Sequence, residues 1–205
     1  MNKDIKDELL SLLSITSIPS EDIPNIELYI DQVTTFIDSR LDKSRRYPDD
    51  KIMTRTMVNN YTKNKLLPPS VKKKYSREHF FLLIMIYYLK NVLSIADIQT
   101  VLEPLSEKWF PKDKKSGLSL QAIYDKITET SGERLPDIEE EIFRIWEESQ
   151  DSFADFDLKK EDQSYLDTFA FICQLCFDIY VRKQMIERVI DRYRDSHPEP
   201  PKKKK

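Results

Sequence analysis

Residues 54–79 read TRTMVNNYTKNKLLPPSVKKKYSREH, and the fold is decided by how this stretch is parsed. Thr54 is an N-cap residue in front of a helix over about 55–64, in which Met57, Val58 and Tyr61 share an inward face while Arg55, Thr56, Asn59, Asn60 and Lys63 face solvent. Pro68-Pro69 stops that helix. Val71 to Tyr75 is then a short extended stretch, a hairpin or wing, carrying Lys72, Lys73 and Lys74. Between Lys51 and Arg77 there are eight basic residues and no Asp or Glu. A segment at +8 inside a chain whose net charge is −3 is the footprint expected of a surface that meets polyanions.

Outward from this stretch the pattern is helical. Upstream, after Pro24, a helix over about 26–41 places Tyr29, Val33, Phe36, Ile37 and Leu41 on one face. Downstream, Ser76 caps a helix over 77–89 that is apolar nearly all round and therefore central, and Ser94 with Asp97 opens a helix on Ile95, Ile98, Val101 and Leu102. The pattern changes beyond Pro104, and the domain boundary is expected between 106 and 118. Ser119 opens a helix that ends near Gly132, and Pro136 opens the next. From Asp137 to Asp162 there are eleven acidic and three basic residues, so this half repels DNA.

The last helix, about 162–194, carries a seam at alternating spacings of four and three: Tyr165, Phe169, Ile172, Cys176, Ile179, Lys183, Ile186, Ile190 and Tyr193. Two readings stand: a bundle helix packed on its own chain, or a coiled-coil seam. They combine if the first half is buried within the protomer and the second half self-associates through Ile179, Ile186, Ile190 and Tyr193. Cys173 and Cys176 read as small core side chains. The expected division is an arm (1–23), a winged helix-turn-helix domain (24–105), a linker (106–118), an acidic helical dimerisation or partner domain (119–196) and a disordered tail (197–205).

Composition excludes several functions. With only Gly117 and Gly132, no phosphate loop, dinucleotide fingerprint or nucleophile elbow can be assembled. Two histidines and two cysteines do not make a zinc site, so neither metal nor cofactor is expected. Glu139, Glu140 and Glu141 follow one another on an acidic helix with no histidine beside them, which points away from an enzyme. The polar stretch Met1–Lys6 and the absence of an apolar run near 20 residues make the expected location cytoplasmic, with no membrane partner.

The DNA chemistry follows from residue types. Asn pairs bidentately with adenine, Arg with guanine, and Thr reaches a thymine methyl or a phosphate, whereas lysines suit the backbone. Thr54, Arg55, Thr56, Asn59, Asn60, Tyr61, Lys63, Lys72, Lys73, Lys74 and Tyr75 are thus the candidate contacts. RNA is the weaker form of this reading, because Tyr61 and Tyr75 are the segment's only aromatic platform. The rival class is a protein-interaction module whose basic surface docks an acidic partner.

TMVNNYTKNKLLPP, followed by KKKYSREHF, resembles the second helix and wing of MerR-like helix-turn-helix proteins. Together with ELYIDQV (27–33), the segment is similar to an uncharacterised family of low-GC Gram-positive bacteria, the YkrK-like proteins. The resemblance covers about 24–102 and implies a mostly α, cytoplasmic transcription regulator that binds operator DNA as a dimer. Asn59 stands where the MerR pattern has Arg, Asn60 and Tyr61 where it has paired tyrosines, and Lys65 where it has Gly. A lysine must then adopt the helix-ending conformation, and neither promoter untwisting nor ligand sensing carries over.

Overall fold

The computed structural model describes residues 18–110, 117–150 and 152–197, together with Asp7 and Ser11. A two-residue strand, Leu28–Tyr29 (β1), runs straight into helix Ile30–Arg40 (α1). Tyr29 takes the N-cap position, and Oε1 of Gln32 accepts its N–H at 3.0 Å. Its side chain is exposed rather than inward, because position 29 belongs to a strand, where side chains alternate, and not to the helix. Val33, Ile37 and Leu41 are buried as their spacing requires.

A long connection follows, with a single 3-10 turn at Asp42–Ser44. The Asp38 carboxylate fastens it by taking the Arg45 guanidinium and the Ile52 N–H, and it delivers Ile52 and Met53 into the core. Helix Arg55–Lys63 (α2) then begins where the capping residue predicts: Oγ1 of Thr54 accepts the Met57 N–H at 3.2 Å. Such a cap is worth about 1 kcal/mol. Beyond the C-cap at Asn64, Lys65 takes the left-handed conformation at φ 60°. The Leu66 N–H reaches the Tyr61 carbonyl at 2.9 Å and the Lys65 N–H that of Thr62 at 3.1 Å, the two bonds of a Schellman ending.

After Pro68-Pro69 the chain turns on Val71–Lys74, whose N–H and C=O groups exchange bonds of 3.1 and 2.9 Å. Both central residues have positive φ, 51° at Lys72 and 63° at Lys73. Strand Lys74–Tyr75 (β2) leaves the turn and pairs antiparallel with β1, Leu28 opposite Tyr75 and Tyr29 opposite Lys74.

Helix Arg77–Leu89 (α3) is the centre of the molecule, with Phe80 to Ile84 and Ile86 fully buried. Its central position is legible in its unbroken apolar run. Ser94 caps helix Ile95–Trp109 (α4), which continues through Pro104 instead of stopping there. Ile98 and Leu102 bury its inner face. Ser119 caps helix Leu120–Glu133 (α5), whose Leu120 and Tyr124 join the core; Tyr124 packs 4.9 Å from Phe81, ring centre to ring centre. Helices Leu135–Gln150 (α6) and Lys160–Ser196 (α7) form an antiparallel pair with Trp146 edge-on to Phe171.

At its far end α7 returns to α4. Ile190 is buried in the main core, and the Arg194 guanidinium donates to Asp97 at 2.9 Å and to Thr100 at 3.2 Å. One position of the expected self-associating seam departs from it: Ile190 is docked in the core of its own chain, whereas Tyr165, Phe169, Ile172, Ile179 and Ile186 along the seam face solvent. The reason is that α6 packs against the opposite side of α7, where Asp167 is buried and Phe171 meets Trp146. Cys173 and Cys176 are accordingly exposed thiols and not core side chains.

Of the expected arm, Ile18 and Ile23 are buried core residues on either side of the 3-10 turn Ser20–Asp22, so residues 18–23 are packed. Of the expected linker, residues 106–109 are the end of α4 and 111–116 lie outside the described residues, as do the arm before Ile18, apart from Asp7 and Ser11, and the tail after 197. Among the described residues, no helix is long and apolar enough to cross a membrane.

Candidate nucleic-acid interface

Two short elements bring the candidate residues together. Helix α2 buries Val58 and Tyr61, which turns Arg55, Thr56, Asn59, Asn60 and Lys63 outward. The Asn59 and Asn60 side-chain amides make no hydrogen bond among the described residues. Nor does any of Lys63, Lys65, Lys72 and Lys73, all exposed, form an ion pair there.

Arg55 is engaged, but loosely. One guanidinium nitrogen donates to both carboxylate oxygens of Asp31 at 2.6 Å, with both side chains mostly in water. Such exposed pairs contribute about 0–1 kcal/mol, so a phosphate or a guanine edge can displace the carboxylate. The contact also orients Arg55 from the first turn of α1. Lys74, half-buried, lies over the ring of Tyr29 at 5.6 Å and is thereby fixed across the two strands.

The turn itself is unusual chemistry. Two-residue hairpin turns with positive φ at both positions favour Asn-Gly, since a Cβ in the left-handed region costs roughly 1–2 kcal/mol per residue. Here both positions are lysine. Local strain of this kind gathers at functional sites, where the surrounding structure over-determines it. The antiparallel pairing of β2 with β1 does so here, and it leaves the two ammonium groups at the tip.

Tyr61 and Tyr75 are corrections to the expected set. They are 6 % and 5 % exposed. Tyr61 faces inward on α2, and burial pushes its hydroxyl above the ordinary tyrosine pKa. Tyr75 packs edge-on to His79 with ring centres 5.2 Å apart. Neither presents its ring to solvent, so neither supplies the aromatic platform that the RNA reading names. Thr54 is occupied by its capping bond. Arg77, the last cation of the basic run, donates to Gln121 at 2.9 Å and to the Ser20 carbonyl, which ties α3 to α5 and to the chain start. Sequence reasoning missed Tyr29 and Asp31 as neighbours of the basic face. Only the strand pairing and the α1–α2 crossing bring them there, and no spacing in the sequence announces either.

His79 stands directly behind the turn. Its Nδ1 accepts the Ser76 N–H at 2.9 Å, and the ring lies between Tyr75 and Phe110. Burial holds its pKa below the ordinary histidine value. Among the described residues no group of three or more His, Cys, Asp or Glu side chains is placed to hold a metal ion.

Fold and surface together define a mostly helical protein with one basic face built on a short helix and a lysine turn. The chain belongs to the family described as Domain of unknown function (DUF1836), whose model matches residues 18–127. That match starts at Ile18, the first buried residue among those described, and runs into α5. No curated protein and no solved structure matches the chain.

Proposed function

We propose that this protein is a DNA-binding transcriptional regulator of the cytoplasm that reads operator DNA with α2 and grips its backbone with the Lys72–Lys73 turn. The carrying observation is the pair of left-handed lysines, exposed and without ion pairs among the described residues, beside the outward amides of Asn59 and Asn60. The order β1, α1, α2, lysine turn, β2 supports the MerR-like reading of the segment. The connection from Leu41 to Thr54 departs from it, being far longer than the three or four residues that usually join such helices.

The partner in this reading is a second copy of the chain. Tyr165, Phe169, Ile172, Ile179 and Ile186, at heptad spacing, are between 40 % and 66 % exposed. So long an apolar stripe is unusual on a monomer and fits an isologous coiled-coil contact.

The test is a gel shift with genomic fragments at graded salt. Binding that falls steeply as salt rises, and that loses sequence preference by about 1–3 kcal/mol in Asn59→Ala or Arg55→Ala, supports the proposal. Absence of salt-sensitive binding rejects it. A second reading, docking of an acidic protein partner, is favoured by one observation: Arg55 already holds a carboxylate, that of Asp31. It predicts capture by polyglutamate with no preference among DNA sequences.

A further inference from the structure

At the end of α3 remote from the lysine turn lies a cavity of about 510 Å³, walled by α3, α4 and α5. Its volume is within the ~300–1,000 Å³ typical of small-molecule sites. The walls are hydrocarbon: Met85 and Leu89 from α3, Val101 and Leu105 from α4, Ile127 from α5. No Asp, Glu, Lys, Arg or His among the described residues lines it.

Four hydroxyls reach the cavity, and three are already committed. Thr128 donates to the Tyr124 and Asp125 carbonyls, Ser131 to that of Ile127, and Tyr124 to that of Ile18 at 2.6 Å. The fourth, on Tyr88, has no hydrogen-bond partner among the described residues. Burial pushes its pKa up to about 12, so it stays a neutral donor and acceptor. An apolar chamber with one free phenol selects an uncharged, mainly hydrocarbon molecule carrying a single polar atom. A helical peptide would need a groove several turns long, whereas these walls span one or two turns of each helix.

The chamber is connected to the basic face. Helix α3 starts at Ser76, next to β2, and ends at the cavity, and its buried middle makes it a stiff rod. Helix α5 lines the cavity at Tyr124–Ser131 and, near its start, holds Arg77 through Gln121. A ligand that wedges α3 from α5 therefore acts on the helix that follows β2 and on the Arg77–Gln121 contact at its start. We propose that this cavity is an effector site for an uncharged, largely apolar small molecule whose binding alters DNA affinity. The regulatory half of this rests on the DNA-binding reading above.

The full chain is titrated with N-phenyl-1-naphthylamine, a neutral apolar fluorophore. One saturable site is expected, weakened at least tenfold in Val101→Phe and in Ile127→Trp, which fill the chamber, and several-fold in Tyr88→Phe, which removes only the hydroxyl. Val101 and Ile127 are 40 % and 52 % exposed, so the larger side chains are accommodated at the mouth without displacing the core. Gel shifts with and without saturating fluorophore should differ at least fivefold in DNA affinity. No saturable binding, or binding unchanged in all three variants, overturns the site. Binding lost in the variants with no effect on DNA affinity overturns the regulatory half. Fluorophore binding by a protein that binds no DNA rejects the transcription reading and leaves the site standing.

Discussion

Lys72 and Lys73 carry side chains where the backbone favours none, and a functional trade-off follows. Replacing the pair by Asn-Gly, which suits the left-handed geometry, should raise stability by about 1–2 kcal/mol in denaturant melts. The same change should weaken DNA binding for every sequence and reduce the salt slope by about two units, one for each phosphate left without its lysine. A variant that gains stability and keeps its DNA affinity would leave the turn without a role in binding. His79 makes a pH prediction. Its folded pKa is depressed by burial, so below the ordinary value near 6.5 the unfolded chain takes up a proton that the folded chain does not. Stability is therefore complete above that pH and falls as the solution is acidified below it, with the loss growing until the folded-state pKa is reached. Urea midpoints between pH 7.5 and 5 should show the decline, and His79→Gln, which keeps an acceptor for the Ser76 N–H, should flatten it.

Among the elements, α7 spans 37 residues, about 55 Å at 1.5 Å per residue, and has two fates along its length. Its last turns are held by Ile190 in the core and by the Arg194–Asp97 pair, whose carboxylate is kept below its ordinary pKa first by the Ser94 hydroxyl and then by Arg194. From Tyr165 to Ile186 it offers an apolar stripe to solvent. Phe169→Asp with Ile172→Asp should convert the proposed dimer to a monomer in light scattering while the far-ultraviolet spectrum is retained, because neither side chain is buried within the protomer. An unchanged mass would reject the stripe as the dimer contact. Composition alone places Cys173 and Cys176 in the interior, and their exposure shows where that inference fails. A stretch apolar on all sides has no preferred face until a neighbour, here α6, takes one.

The whole molecule is held together around α3, and the buried core crosses the boundary expected between 106 and 118: Leu120, Tyr124 and Ile190 lie in the same cluster as Val33, Val58 and Phe80. Phe81→Ala should cost about 3–5 kcal/mol, and because Phe81 packs on Tyr124 it should melt α5 together with the residues before it in one transition. Separate transitions by near- and far-ultraviolet dichroism would show two independent units. Much of this architecture is legible in the chain itself. Thr54, Ser94 and Ser119 open their helices as capping chemistry requires, and the unbroken apolar run 80–89 lies at the centre, whereas the second helix ends at Lys63 on a Schellman turn at Lys65, before Pro68-Pro69 is reached. These are local rules, satisfied within a few residues of chain, and the amino-acid order alone settles them. The inward turn of Tyr75, the capture of Arg77 by Ser20 and Gln121, the pairing of residue 29 with residue 74, and the choice of which face of α7 is covered join positions tens of residues apart. Such contacts are selected by the packing of the whole chain, where burying one face excludes another, and only the tertiary structure decides them.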